Sequence, residues 1–273
     1  MLHSLITVIN ERTKISVDLD PLSPRSIVLS LLLGTHPPSI PVSRLLEFTT
    51  LFGITDGTAR TALSRMVARG ELANDNGVYR LRGHLLERQS QQDSGRLAPP
   101  AIWDDTWWFV AVLAQGRSVA DRRAFRSRVV GARLGELRPD TWLRPANIDV
   151  PSDLRGVIVT RGPLVTGDDA EVVRRLWDLD TIDARARSLA ASLRDTSARL
   201  ADGDAALADA FVQLAACQRF LRTEPQLPES LDPRRSSAEL RATYADVVVS
   251  FQQQLGEFFA RGRGLRDVSR DAT

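Results

Sequence analysis

The chain has 273 residues, 43% of them apolar, which suits two or three cores at roughly 100 to 150 residues per domain. Thirty-six basic against thirty-four acidic side chains leave a formal charge of +2, so the protein as a whole is no polycation, and any nucleic-acid contact must be local. The single cysteine, Cys217, excludes an intramolecular disulfide framework and reads as a buried thiol on an apolar helix. No run approaches the ~20 apolar residues that span a bilayer. Leu2–Ile9 is too short for a signal peptide and lacks a basic start. A cytoplasmic protein is expected.

Residues 1–20 read as an N-terminal extension. Arg25–Leu33 is a short apolar helix after Ser23-Pro24, with proline near the helix start. His36-Pro37-Pro38 is a loop. Val42–Phe52 carries apolar residues at 42, 45, 46, 48, 51 and 52, the period of a half-buried helix. Gly53 supplies the positive φ that ends it. Thr55 caps a second helix, Asp56–Arg69, with Asp56 in its first turn. Ala59, Ala62, Leu63, Met66 and Val67 form its apolar stripe. The opposite face shows Gly57, Thr61, Ser64 and Ala68, with Thr58, Arg60 and Arg65 at the rim. A face small at its centre and cationic at its edge suits close approach to base edges and phosphates. Glu71–Ala73 and Val78–Arg82 then flank Asn74-Asp75-Asn76-Gly77, a strong hairpin signal.

Helix-turn-helix plus hairpin predicts a winged helix over 21–93. The plainer alternative is a two-helix unit of an ordinary core. As a DNA-binding element, Thr58, Arg60, Thr61 and Ser64 would face bases. Arg65, Arg69, Arg80, Ser43 and Arg44 would mostly face phosphates.

Gly83–Gln92 is read as a short polar helix and Ser94–Pro100 as a linker. Between 101 and 166 the pattern changes. Trp107–Leu113 is aromatic and β-branched, a buried strand. Ser118–Val130 is a helix, and Leu134–Leu137, Thr141–Leu143 and Val157–Thr160 are strands. Strand, helix, strand, strand in this span predicts a small α+β unit, ferredoxin-like. From 167 to 262 the chain is helical, with apolar stripes at 205–221 and 244–259 whose surplus suggests a two-fold interface. Residues 263–273 read as a polar tail. The fold class expected is therefore multidomain α+β: N-terminal winged helix, central α+β unit, C-terminal helices.

Catalytic signatures are missing. There is no GxGxxG, GxxxxGK[ST], HExxH or CxxC. His3, His36 and His84 have no second His or Cys at ligand spacing, so no metal and no cofactor is expected. Asp104-Asp105, before the first strand of the middle unit, carry the enzyme alternative, a metal-dependent nuclease. Their plainer reading is a solvated turn. A helical interaction protein that binds no DNA is the third class.

LFGITDGTARTALSRMVARGEL followed by YRL resembles the PaaX-type phenylacetate-catabolism repressor family. DDTWWFVAVL and RRAFRSRVVGARLGELRPDTWLRP resemble its middle domain, and LWDLD and EPQLPESLDP its helical C-terminal domain. RRSS follows that last segment where a Trp-Pro-Gly-like sequence is expected. The resemblance spans residues 21–262. It implies a homodimeric transcriptional repressor of double-stranded operator DNA, released by a small-molecule effector, typically an aryl-CoA thioester, with a middle domain shaped like the Cas2 nuclease. Such an effector needs cations and an aromatic slot. Arg138, Arg144, Arg161, Trp107, Trp108 and Trp142 are the candidates, although buried tryptophan is more often core and surface arginine more often solvated.

Overall fold

The computed structural model describes residues 22–83, 85, 86, 89, 102–114 and 116–270, with side chains to residue 261. The expected extension at 1–20, His84 and the linker at 94–100 lie outside these. The architecture is mixed α+β with two small antiparallel sheets. The chain forms two compact units. One holds the described residues up to 89 together with 188–216 and everything from 243; the other holds 102–187 and 217–242. Residues 167–262 contribute to both units.

In the first unit, helix α1 (Pro24–Leu33) starts where the Ser23 hydroxyl accepts from the Ser26 N–H. A short strand β1 (Ser39–Pro41), not foreseen in the sequence, leads into α2 (Val42–Thr50). Helix α3 is Asp56–Ala68. Strands β2 (Leu72–Asp75) and β3 (Val78–Leu81) follow, and the sheet order is β1-β3-β2. The hairpin tip puts Asn76 at φ 50° and Gly77 at φ 84°, the pair of positive angles that matches strand twist. Val28, Leu32, Leu45, Phe48, Leu63 and Met66 are fully or almost fully buried where the three helices meet.

The unit is completed from far along the sequence. Helices α6 (Leu179–Ala198), α7 (Asp204–Thr223) and α8 (Ser236–Arg270) contribute to it. Phe211 packs edge-on against Phe48 at 4.9 Å and against Phe52 at 5.5 Å, and Phe251 lies 6.1 Å from Phe211. Aromatic pairs at such separations favour tilted and edge-on contacts. The apolar stripes expected to leave a surplus for a partner are largely consumed within one chain: Leu207, Ala210, Phe211, Val247 and Phe251 are all buried. The tail also differs from expectation, because α8 continues as helix to Arg270.

The second unit is a four-stranded sheet in the order β5-β6-β4-β7, antiparallel throughout. Its strands are β4 (Thr106–Val112), β5 (Gly135–Arg138), β6 (Thr141–Pro145) and β7 (Val157–Pro163). Helix α4 (Val119–Gly131) covers one face, where Val110, Val129, Leu134 and Trp142 form a core. Helix α5 (Asp169–Leu176) covers the other, where Trp107, Leu143 and Val173 meet, with Leu227 and Leu231 packed against them. Alternation along each strand sorts the side chains between the two faces.

Candidate nucleic-acid interface

Three buried side chains anchor α3 to its unit: Ala59, Leu63 and Met66. Their spacing fixes the rotation of the helix and turns the other face outward. Asp56, Gly57, Thr58, Arg60, Thr61, Ser64, Arg65, Ala68 and Arg69 are all exposed. Val67, expected in the apolar stripe, is 37% exposed, because it lies at the edge of the buried arc. At the helix start the Thr55 hydroxyl accepts from the Thr58 N–H at 3.3 Å. The Thr61 hydroxyl donates to the Gly57 carbonyl at 2.8 Å. Among the described residues Arg60 and Arg65 form no ion pair or hydrogen bond through their side chains. A cation with no internal partner, raised on a rigid helix, is available to an external anion.

The other expected cations are partly committed. Arg69 lies 3.4 Å from Glu71, and Arg80 lies 3.2 Å from Asp75, on an exposed part of the hairpin. Arg44 is more tightly held: it pairs with Glu47 at 3.2 Å, donates to the Phe259 carbonyl and stacks 4.8 Å from the Phe259 ring. Ser43 is half-buried at the start of α2. Arg82, which sequence reading left out of the site, is exposed at the end of β3, and its side chain has no partner among the described residues. The signal was there in the strand alternation, since Arg80 and Arg82 share a face.

In the second unit the six residues expected to line an effector site do not share one surface. Trp107 is 1% exposed on the α5 face and donates its indole N–H to Asp169 at 2.9 Å. Strand alternation separates it from Trp108. Trp142 is buried on the α4 face beneath Arg126, whose guanidinium lies 5.1 Å from its ring centroid. Arg138 is exposed on β5 and donates to the Thr141 hydroxyl at 3.3 Å. Arg144, expected as a surface cation, is fully buried. It donates to the carbonyls of Pro145, Ala132 and Pro225 and to the Asn147 side chain. Burial, with Arg133 adding repulsion, pushes its guanidinium down to about 9. Arg161 is half-exposed, pairs with Asp104 at 2.6 Å and lies 5.6 Å from the Trp108 ring.

Asp104 is paired with Arg161 at the surface. A hydrogen bond from Thr106, with Arg161 alongside, holds its carboxyl below the usual range. Among the described residues no group of three or more His, Cys, Asp or Glu side chains is placed to hold a metal ion. No helix of the described residues is long and apolar enough to cross a membrane.

A family model described as PaaX-like protein matches residues 23–85, which run from α1 through the hairpin. A solved structure titled uncharacterized protein Rv0674 from Mycobacterium tuberculosis is 33% identical, with a TM-score of 0.65. The match covers 87% of this chain and 99% of that one. Among curated proteins nothing matches significantly.

Proposed function

This chain belongs to the PaaX-like family, a family of regulators, and from that premise we propose that it is a sequence-specific DNA-binding transcriptional repressor. One observation carries the reading. The outward face of α3 combines small residues, Gly57, Thr61, Ser64 and Ala68, with Arg60 and Arg65, which have no side-chain partner among the described residues. The α1–α2–α3 and β1-β3-β2 arrangement supports a winged helix with α3 in the major groove. Thr58, Arg60, Thr61 and Ser64 then read bases, while Arg65, Arg69, Arg80, Arg82 and Ser43 position the backbone. Arg44 contributes less, because its guanidinium is engaged with Glu47 and Phe259.

The β5-β6-β4-β7 order supports a ferredoxin-like, Cas2-like middle unit. The same reading includes a homodimer on an imperfect palindrome and release by a small-molecule effector, with an aryl- or acyl-CoA thioester suggested by the family resemblance. Release requires that the effector prefer the DNA-incompetent state.

The test is selection of bound sequences from a random pool, followed by affinity measurement. Arg60→Ala should cost about 1–3 kcal/mol at the selected site and relax sequence choice there. Arg82→Ala should weaken all sequences alike and flatten the salt dependence. Wild-type affinity in Arg60→Ala would exclude α3 as the reading helix.

A further inference from the structure

We propose that the α4 face of the second sheet carries a binding site for an oxyanion, a carboxylate or phosphate group, at the cross-strand row Arg144–Trp108–Arg161. The register sets these three residues side by side: Trp108 pairs with Arg144 on β6 and with Arg161 on β7. Directly opposed residues of antiparallel strands share a face and lie within side-chain contact. All three side chains are donors only; neither a guanidinium nor an indole has a hydrogen-bond acceptor.

The local accounting leaves one donor without an acceptor and one buried cation without an ion pair. The Trp108 indole N–H is buried and has no hydrogen-bond partner among the described residues. Buried polar groups are almost always paired, so an orphan indole N–H marks a place where an acceptor belongs. Arg144 is fully buried, yet its guanidinium meets three carbonyls and the Asn147 side chain rather than any carboxylate. Carbonyl dipoles supply only partial charge, and buried arginines are ordinarily paired with a full one. The buried carboxylate of Glu224 is taken by Arg241. Arg133, half-buried, adds a second cation near Arg144, and Glu224 and Asp149 offset only part of that charge from a distance, without an ion pair to Arg144.

Arg161 supplies the way in. Its side chain is 42% exposed, lies over the Trp108 ring and is held by Asp104 at 2.6 Å and by the Thr106 hydroxyl at 2.9 Å. Asp104 is itself exposed, so this surface pair exchanges at little cost. An incoming oxyanion takes the place of Asp104 on Arg161 and directs its second oxygen to the Trp108 N–H. Arg144, at the other end of the row, supplies the field that favours negative charge. This site rests on the sheet alone; its role as the effector site rests on the regulator reading above.

The protein has five tryptophans, so the ¹⁵N-indole spectrum of the full chain is simple enough to assign by substitution. Trp108→Phe identifies one indole signal and keeps the aromatic surface. Sodium phosphate and sodium benzoate are titrated separately at constant ionic strength made up with sodium chloride. The expected result is a saturable downfield shift of the Trp108 indole proton with one or both anions and none with chloride. Phosphate alone acting assigns a phosphoryl ligand; benzoate alone assigns a carboxylate. Arg161→Ala should weaken the binding about tenfold, as expected for loss of a charge-assisted bond. Asp104→Asn should tighten it by removing the competitor. A Trp108 signal that stays in place with both anions, or follows chloride equally, overturns the site. DNA affinity measured at saturating anion separates the two readings. An anion that binds without changing DNA affinity leaves the site and removes its effector role. A protein that never binds DNA removes the repressor reading and leaves the site.

Discussion

Glu71 is a side chain on which the first unit depends. It lies three residues past the end of α3, and its carboxylate accepts from Arg25 at 2.8 Å and lies near Arg69 at 3.4 Å. The pair ties α1 to the start of the hairpin and so fixes where α3 ends. Hydrogen bonding from Arg25 holds the Glu71 carboxyl below its ordinary value of 4.5. A folded-state value below the unfolded one contributes stability that is present above about pH 4.5 and lost as pH falls through the folded value. Glu71→Gln should therefore cost about 1–3 kcal/mol near neutrality, since it leaves a partly buried pair broken. In thermal melts the gap between mutant and wild type should narrow on acidification; an equal gap at pH 3 and pH 7 would deny the ionic contribution. Nothing in the sequence announced this pair, because its partners are 46 residues apart. The cap at Thr55 and the Asn76-Gly77 turn were legible because their hydrogen bonds close within a few residues.

The helices and strands show the same division between local and distant causes. Strands β4 to β7 were recognisable from alternating and aromatic runs, and the exposed face of α3 followed from its period. Strand β1 was hidden: three residues ending in proline carry no pattern, and only pairing with Ser39 opposite Arg80 makes it a strand. Two glycines separate packing from propensity. A Cβ on Gly135 would come within 2.7 Å of Leu176 Cβ and 3.0 Å of the Trp177 ring. Gly135→Ala should thus cost about 1–3 kcal/mol through overpacking of α5 on β5. Gly131, near the end of α4, has nothing within 4 Å of an added Cβ, so Gly131→Ala should stabilise by about 0.5–1 kcal/mol. Denaturant midpoints check both, and a neutral Gly135→Ala would mean that β5 and α5 separate easily. Gly57 is also open, but it lies on the outward face of α3. Gly57→Ala should leave the melting temperature intact or raised while lowering operator affinity. Unchanged affinity would place the groove elsewhere.

At the scale of the whole molecule, α6, α7 and α8 each have residues in both units. The sequence suggested a separate C-terminal helical domain because periodicity shows that a helix has a buried face but not what buries it. The Phe48–Phe211–Phe251 contacts supply that answer for α7 and α8. Phe211→Ala should cost about 3–5 kcal/mol and should lower operator affinity by loosening α2, measured by melting and by DNA titration on the same preparation. Retention of full stability would mean that the winged element stands alone.

That last contact also sets an order of events during synthesis. The segment from α1 to β3 leaves the ribosome early, yet Phe48 and Phe52 receive their covering rings only once Phe211 and Phe251 have been translated. At elongation rates of about 5–20 residues per second, the nascent segment waits on the order of ten seconds with part of its core uncovered. For that interval α3 belongs to an unfinished body.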